Sequence, residues 1–115
     1  MKIVASTPNL TAKQIYLLTM NPKTIKMKDV VDQRIEMAYW ALYEDVSQKT
    51  GEIQQILAIA TPNGECFATN SPTFIRDFDN MLSLFESMGE TVPAIVVVSG
   101  KSKTDREFIT CVYSD

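Results

Sequence analysis

The sequence predicts a mainly β domain in which five strands and one central helix follow the order β-β-β-α-β-β. Residues 71–89 (SPTFIRDFDNMLSLFESMG) have the clearest helical pattern, with apolar side chains at helical spacing from Phe74 to Met88. Three strand-like segments precede this helix and two follow it. All four glycines and all five prolines fall at predicted element ends, so the turn-forming residues agree with the predicted order of helices and strands.

The ends of the central helix have recognisable local signals. Ser71 can accept hydrogen bonds from the first free backbone N–H groups, and Pro72 stands where a helix needs no donor. Gly89 follows the last periodic residue and can adopt the left-handed conformation that ends a helix. We therefore expect the helix to occupy residues 71–89.

The strands are predicted at residues 34–45, 53–61, 65–69, 92–99 and 106–113. The first is long, and it becomes apolar at both parities from Ala38 onward. This pattern favours one strand that bends to serve two sides of a small barrel, with an amphipathic helix as the alternative. The element order is that of the five-stranded OB barrel, whose outer face commonly binds single strands.

Residues 1–33 are predicted to form an N-terminal helical extension packed on a barrel of residues 34–115, within one structural domain. Residues 2–6 are a short strand candidate of unknown partner. Thr11 and Gln14 fit a capping box, which predicts an extra helix from residue 11 to about residue 20. Residues 25–33 are interpreted as a connector with one helical turn.

Composition narrows the class of protein. The hydrophobic content of 45% and charged content of 22% are ordinary for a globular chain. Without a signal-peptide run or a membrane-spanning stretch, we expect a cytoplasmic protein with no membrane partner, in the host cytoplasm if it is viral. There is no histidine and no Gly-rich phosphate loop. We therefore expect no catalysis, no metal and no cofactor, and reduced buried thiols at Cys66 and Cys111.

Charge is unevenly distributed along the chain. The net charge of −3 argues against a strongly basic nucleic-acid binder. Residues 1–34 nevertheless carry six basic and two acidic residues, and the remainder carries five basic and twelve acidic residues. The overall acidity therefore leaves room for a local basic track.

Cationic side chains mark a candidate binding surface. Lys101, Lys103 and Arg106 lie on or beside the predicted hairpin loop 100–106, and Lys49 lies on the other loop that flanks the ligand face of OB proteins. Arg34 at the start of the first strand is included in the predicted track. Each of these side chains can neutralise a phosphate without selecting a base.

Aromatic side chains on the predicted strands supply the second requirement of single-strand binding, which is flat rings for base stacking. The candidates are Trp40, Tyr43, Phe67 and Phe108. The alternative is that most aromatic rings belong to the core, because a small domain needs them there. Trp40 is the ring that we expect to be exposed. Tyr43 lies on the other face of the strand, together with the apolar residues Ile35 and Met37.

Five short runs carry a resemblance to a known family: NG at 63–64, FATNS at 67–71, TFIRDF at 73–78, VVVSGKSK at 96–103 and REFIT at 106–110. Over residues 53–112 the chain resembles phage-encoded single-stranded DNA-binding proteins, such as those of small protein-primed phages of Gram-positive bacteria. The resemblance implies an OB-like fold and a role in coating displaced strands during replication. It also implies that Lys101 and Lys103 contact DNA. The helix at 11–20 has no counterpart in the resemblance.

We therefore predict binding of single-stranded DNA without sequence preference, coating strands during phage or mobile-element replication. RNA is left open as a ligand. The alternative is a small protein-interaction module that binds a host or replisome protein. Self-association or a replisome partner is expected at the N-terminal helix.

Overall fold

The computed structural model describes all 115 residues and contains eight strands, two α-helices and one 3₁₀ turn. In chain order they are β1 (Lys2–Ser6), α1 (Ala12–Thr19), β2 (Ile25–Lys26), the 3₁₀ turn (Met27–Asp29), β3 (Arg34–Glu36), β4 (Tyr39–Val46), β5 (Ile53–Ala60), β6 (Cys66–Thr69), α2 (Pro72–Ser87), β7 (Ala94–Lys101) and β8 (Glu107–Ser114). The prediction of a mainly β chain is confirmed.

The strands form two sheets. The large sheet has the order β1-β4-β5-β6-β2, and the small sheet has the order β3-β7-β8. All pairs are antiparallel except β2 with β6, which is parallel. The chain between β3 and β4 joins the sheets at one side, whereas β6 and β8 do not pair. The sheets therefore do not close into a barrel.

The predicted long strand at 34–45 is confirmed as extended chain and corrected in one respect, because it is two strands in two sheets. β3 pairs with β7, and β4 pairs with β5. Between them, the N–H of Met37 donates to the carbonyl of Pro93 at 3.0 Å, and that of Ala38 donates to Ala60 at 2.8 Å. The backbone exchanges one pairing partner for the other at these two residues, so the chain bends there.

Two hydrophobic clusters lie on opposite faces of the large sheet. The main core lies between the two sheets and α2, and its fully buried side chains include Phe74, Ile95 and Val97. The smaller cluster lies under α1, where Leu18 packs with residues of the large sheet that include Ala41, Tyr43 and Cys66. Successive residues of β4 and β5 alternate between the clusters, as strand geometry requires.

Both helix predictions are confirmed, together with their caps. The Oγ of Ser71 accepts from the N–H of Phe74 at 3.4 Å, and Gly89 adopts φ +71° after the end of α2. At α1, the Oγ1 of Thr11 accepts from the N–H of Gln14 at 3.1 Å, and the Gln14 side chain accepts from the N–H of Thr11 at 2.9 Å. These contacts satisfy backbone donors that a helix start leaves free.

The first 33 residues contribute two strands to the large sheet as well as helix α1. β1 pairs with β4 along one edge, and β2 pairs with β6 along the other. Both additions give hydrogen-bond partners to backbone groups that β4 and β6 would otherwise leave unpaired. The N-terminal region is thus built into the sheet. Neither helix is long and apolar enough to cross a lipid bilayer.

Candidate functional site

A groove of about 880 Å³ lies where the two sheets fail to meet, between the β2–β6 edge and β8. One wall is the segment Lys26–Asp29, and the opposite wall is formed by Ser99 and the first residues of β8. Part of the lining comes from β5 and β6, and the start of α2 closes one side. The groove is open to solvent and large enough for a polymer segment or a small ligand.

Three lysines line this groove: Lys26, Lys28 and Lys49. The acidic side chains among its lining residues are Asp29 and Glu107. The groove therefore has an excess of positive charge in a chain whose net charge is −3. Such a local excess can attract a polyanion even when the whole chain is acidic.

The backbone that carries Lys26 and Lys28 is held in place on both sides. Ile25 and Lys26 pair with Phe67 and Ala68 of β6, and the next residue, Met27, is completely buried. Lys26 and Lys28 flank this anchor and are exposed. The backbone of Lys26 and Lys28 is thus fixed, while both ammonium groups lie in solvent.

The start of α2 adds a second feature that favours anions. The helix is 16 residues long, and its Ser71 and Thr73 line the groove. The positive end of the helix dipole is therefore directed toward this region. The Oγ of Ser71 also donates to the carbonyl of Ile109 on β8 at 3.4 Å, which ties the helix start to the opposite wall.

α2 continues along the free edge of β8. The hydroxyl of Thr110 donates to the carboxylate of Asp77, and this hydrogen bond lowers the pKa of the Asp77 carboxyl. Further along, the rings of Phe85 and Tyr113 stack with centroids 5.0 Å apart. The helix thus covers the β8 edge that would otherwise be available to β6, and the groove stays open beside it.

The predicted cationic loop lies next to this groove. It is a tight hairpin in which the N–H of Ser102 donates to the carbonyl of Arg106 at 2.9 Å. Lys101, Lys103 and Arg106 are exposed, and the Nζ of Lys101 lies 4.0 Å from the carboxylate of Asp105. The three cations do not line the groove, but β8 enters it directly after Arg106. Of the predicted cations, only Lys49 lies inside.

Phe108 is the one predicted aromatic residue that borders the groove. It stands opposite Gly100 on the neighbouring strand, and its half-buried ring lies across that residue. A Cβ added at Gly100 would lie 2.6 Å from the Cζ of Phe108. The absence of a side chain at residue 100 therefore lets the ring lie flat on the strand.

The other predicted stacking residues do not reach the groove, which corrects the expected platform. Tyr43 is 5% exposed and Phe67 is 6% exposed, so neither offers a ring face to a base in this conformation. Trp40, the favoured exposed ring, is half-buried and packs edge-on against Phe78 with centroids 5.2 Å apart. The bend at residues 37–38 shifts the strand's parity, so Trp40 and Leu42 face the main core instead of solvent.

Arg34 also lies apart from the groove. Its guanidinium donates to the Glu36 carboxylate at 3.0 Å, to the Ser114 hydroxyl at 3.2 Å and to the Asp115 carbonyl at 3.0 Å. Arg34 pairs with Val96, near the start of β7, whereas the cationic loop follows the end of that strand. Its charge is therefore neutralised locally and away from the loop.

Sequence reasoning missed Lys26 and Lys28. Both belong to a segment interpreted as a connector, although the surplus of basic residues before residue 35 was a signal that pointed to it. Their position depends on the pairing of β2 with β6, which are about 40 residues apart in the chain. No local pattern predicts such a contact.

The cysteines are free and buried, as expected. Cys66 belongs to the cluster under α1 and Cys111 to the main core. Burial raises the pKa of both thiols, that of Cys111 to about 12. No group of three or more His, Cys, Asp or Glu side chains is placed to hold a metal ion.

Comparisons with protein-family models, with curated proteins and with solved structures find no match for this chain.

Proposed function

We propose that this protein binds single-stranded DNA without sequence preference in the groove between its two sheets. The observation that carries the proposal is the set of three exposed lysines lining an open groove at the start of α2, in a chain that is acidic overall. Lysine ammonium groups and a helix start both favour phosphate. Phosphate contacts position a strand without selecting its bases.

The strand pairing supports an OB-like description of the fold. If β3 and β4 together stand for the first barrel strand, four of the five neighbour relations of an OB barrel are present: β3–β7, β4–β5, β5–β6 and β7–β8. The fifth would join β6 to β8, and the groove lies there instead. OB barrels are partly open and bind oligonucleotides beside the loops that correspond to residues 47–52 and 102–106.

A path for the strand follows from this placement. Phosphates would pair with Lys26, Lys28 and Lys49 within the groove. Lys101 and Lys103, which lie at and on the 102–106 hairpin, would extend the track beyond it. Phe108 lies between these two groups of cations and offers a ring for stacking. With one bordering aromatic residue, we expect electrostatics to contribute more of the affinity than stacking.

The test is a titration of labelled oligo-dT about 12 nucleotides long, within the site size of one OB-type domain, followed by fluorescence anisotropy at several salt concentrations. Replacing Lys26 and Lys28 by Ala removes two phosphate contacts, so the slope of log K against log salt shrinks by about 1.4. The matched control replaces Lys2 and Lys23, which are exposed and do not line the groove. Equal slopes for the two double variants would refute the groove as the site.

The role in coating strands during phage or mobile-element replication is part of the same proposal, and the resemblance over residues 53–112 supports it. A matching titration with oligo-U measures whether RNA binds equally well. The second candidate function is a protein-interaction module, favoured by exposed apolar side chains such as Leu84 (60%) on α2 and Met88 (69%) directly after it. Salt separates the two, because phosphate-driven binding weakens steeply with salt and apolar association does not.

A further inference from the structure

The outward face of α1 has no partner within the chain. Leu18 is the one buried residue of this helix. Helical spacing places Lys13, Tyr16 and Met20 on the side opposite Leu18. Tyr16 is 50% exposed and Met20 is 61% exposed. This face, called the α1 face below, joins two large apolar side chains to a lysine.

A second unpartnered surface lies at the C-terminal end of α2. Leu84 and Met88 are one helical turn apart and mostly exposed, and Tyr113 of β8 is 46% exposed beside them. Its ring stacks on Phe85, which also lines a pocket of about 280 Å³. Trp40, Pro8 and the exposed carboxylates of Glu86 and Glu90 line the same pocket. These residues together are called the α2 end.

The two surfaces have opposite charge. Residues 1–28 contain five lysines and no acidic residue. Residues 77–100 contain four acidic residues and no lysine or arginine. On the surfaces themselves, the charged residue of the α1 face is Lys13, and those of the α2 end are Glu86 and Glu90. Apolar surfaces of opposite charge are complementary both in the area they can bury and in electrostatic potential.

The two surfaces also lie on opposite sides of the large sheet. α1 packs on one face of this sheet through Leu18, and α2 packs on the other face through Phe74 and Phe78. One copy therefore cannot bring its own α1 face to its own α2 end. Because the two surfaces differ, a contact between copies leaves one surface of each copy free to bind the next. The association is therefore heterologous, and it forms a ring or an open filament according to the rotation between copies.

We propose that a second copy of this chain docks its α1 face onto the α2 end, so that the protein associates head to tail. Tyr16 and Met20 of one copy pack against Leu84 and Met88 of the next. Lys13 lies at the acidic pocket, where carboxylates and aromatic rings both attract an ammonium group. This contact goes beyond nucleic-acid binding and forms without it. On a bound strand it would place neighbouring copies in contact, as cooperative coating requires.

The experiment is sedimentation velocity on the full chain without nucleic acid, over a range of protein concentrations. The wild-type protein gives species that grow beyond a dimer as concentration rises. Tyr16→Glu places a carboxylate against the acidic α2 end. Met88→Glu places a charge in the apolar contact with Tyr16 and Met20, where its desolvation outweighs its attraction to Lys13. Each variant alone therefore stays monomeric. Tyr16 is half exposed and Met88 is mostly exposed, so the thermal melting curves should match that of the wild type. Ser83→Glu adds the same charge to the opposite side of α2 and associates like the wild type.

A mixture of the two variants gives the sharpest result. The intact α1 face of the Met88→Glu copy can bind the intact α2 end of the Tyr16→Glu copy once, and the two disabled surfaces both carry Glu and repel. The mixture therefore forms a one-to-one dimer and nothing larger. A wild-type protein that stays monomeric, a closed dimer that neither variant disrupts, or a mixture that remains monomeric would each overturn the proposal. None of these outcomes depends on whether the protein binds DNA.

Discussion

Gly100→Ala tests the packing of Phe108 at the edge of the groove. The new Cβ would lie 2.6 Å from the Cζ of Phe108 and 3.0 Å from its Cε2, closer than carbon atoms approach without displacement. Gly100 does not adopt a left-handed conformation, so alanine fits the strand backbone. In the folded state, the substitution therefore acts through the ring alone.

The expected change in the free energy of unfolding follows from two opposing effects. Extra volume in a packed position costs roughly 1–3 kcal/mol, and the lower end applies because the half-buried ring can swing toward solvent. Alanine also restricts the unfolded chain, which stabilises the fold by about 0.4–1 kcal/mol. In the wild-type background we expect a loss between zero and about 1 kcal/mol. With Phe108→Ala already present, the collision is gone and Gly100→Ala should stabilise by about 0.4–1 kcal/mol.

The assay is urea unfolding of the four proteins of this double-mutant cycle, followed by the fluorescence of Trp40, the one tryptophan in the chain. The expected coupling between the two substitutions is about 1 kcal/mol. Trp40 packs against α2, away from both altered residues, so it reports unfolding of the whole domain. If Gly100→Ala changes the free energy of unfolding equally in both backgrounds, the ring of Phe108 does not lie on Gly100.

Three other outcomes can be measured. Phe78→Ala should lower the free energy of unfolding by about 3–5 kcal/mol, because the ring is 2% exposed in the main core; a loss of a few tenths in urea titration would contradict this packing. Burial raises the pKa of the Cys111 thiol from 9.0 to about 12, so the folded protein keeps a proton that the unfolded chain loses. This contribution to stability is complete below pH 9.0 and declines as pH rises toward 12, so the stability difference between wild type and Cys111→Val should change between about pH 7 and about pH 10, and a constant difference would contradict it. Replacing Lys101 and Lys103 by Ala should shrink the salt slope of DNA binding by about 1.4, and an unchanged slope would exclude the hairpin from the interface.

Features with local causes could be predicted from the sequence. The start of α2 follows from Ser71 and Pro72, whose effects on a helix N-terminus involve only the next three residues. The capping box at Thr11 and Gln14 is local in the same sense. Strand positions were also predictable, because turn residues mark their ends. These elements occur in the structure within a few residues of their predicted bounds.

Features that depend on distant contacts could not be predicted. The exposure of Trp40 was predicted by counting parity from Ile35, but the hydrogen bonds of Met37 and Ala38 to two different sheets shift the parity between them. The lysines of the groove depend on the two-residue pairing of β2 with β6. Local periodicity predicts neither the shift in strand parity nor the position of the lysines. Both depend on which strand edges pair in the folded structure.

The small cluster beneath α1 has a consequence for local unfolding. Leu18 is the one buried residue of this helix, and its cluster has six buried residues, whereas β7 contributes Ile95 and Val97 to a core cluster of 14. Segments with few buried contacts open at a lower free energy than the core, so the amide hydrogens of α1 should exchange with solvent before those of β7. A partner that binds only the docked helix suppresses this opening by mass action. The rate of amide exchange in α1 thus measures occupancy of its outward face, while the central strands stay unchanged.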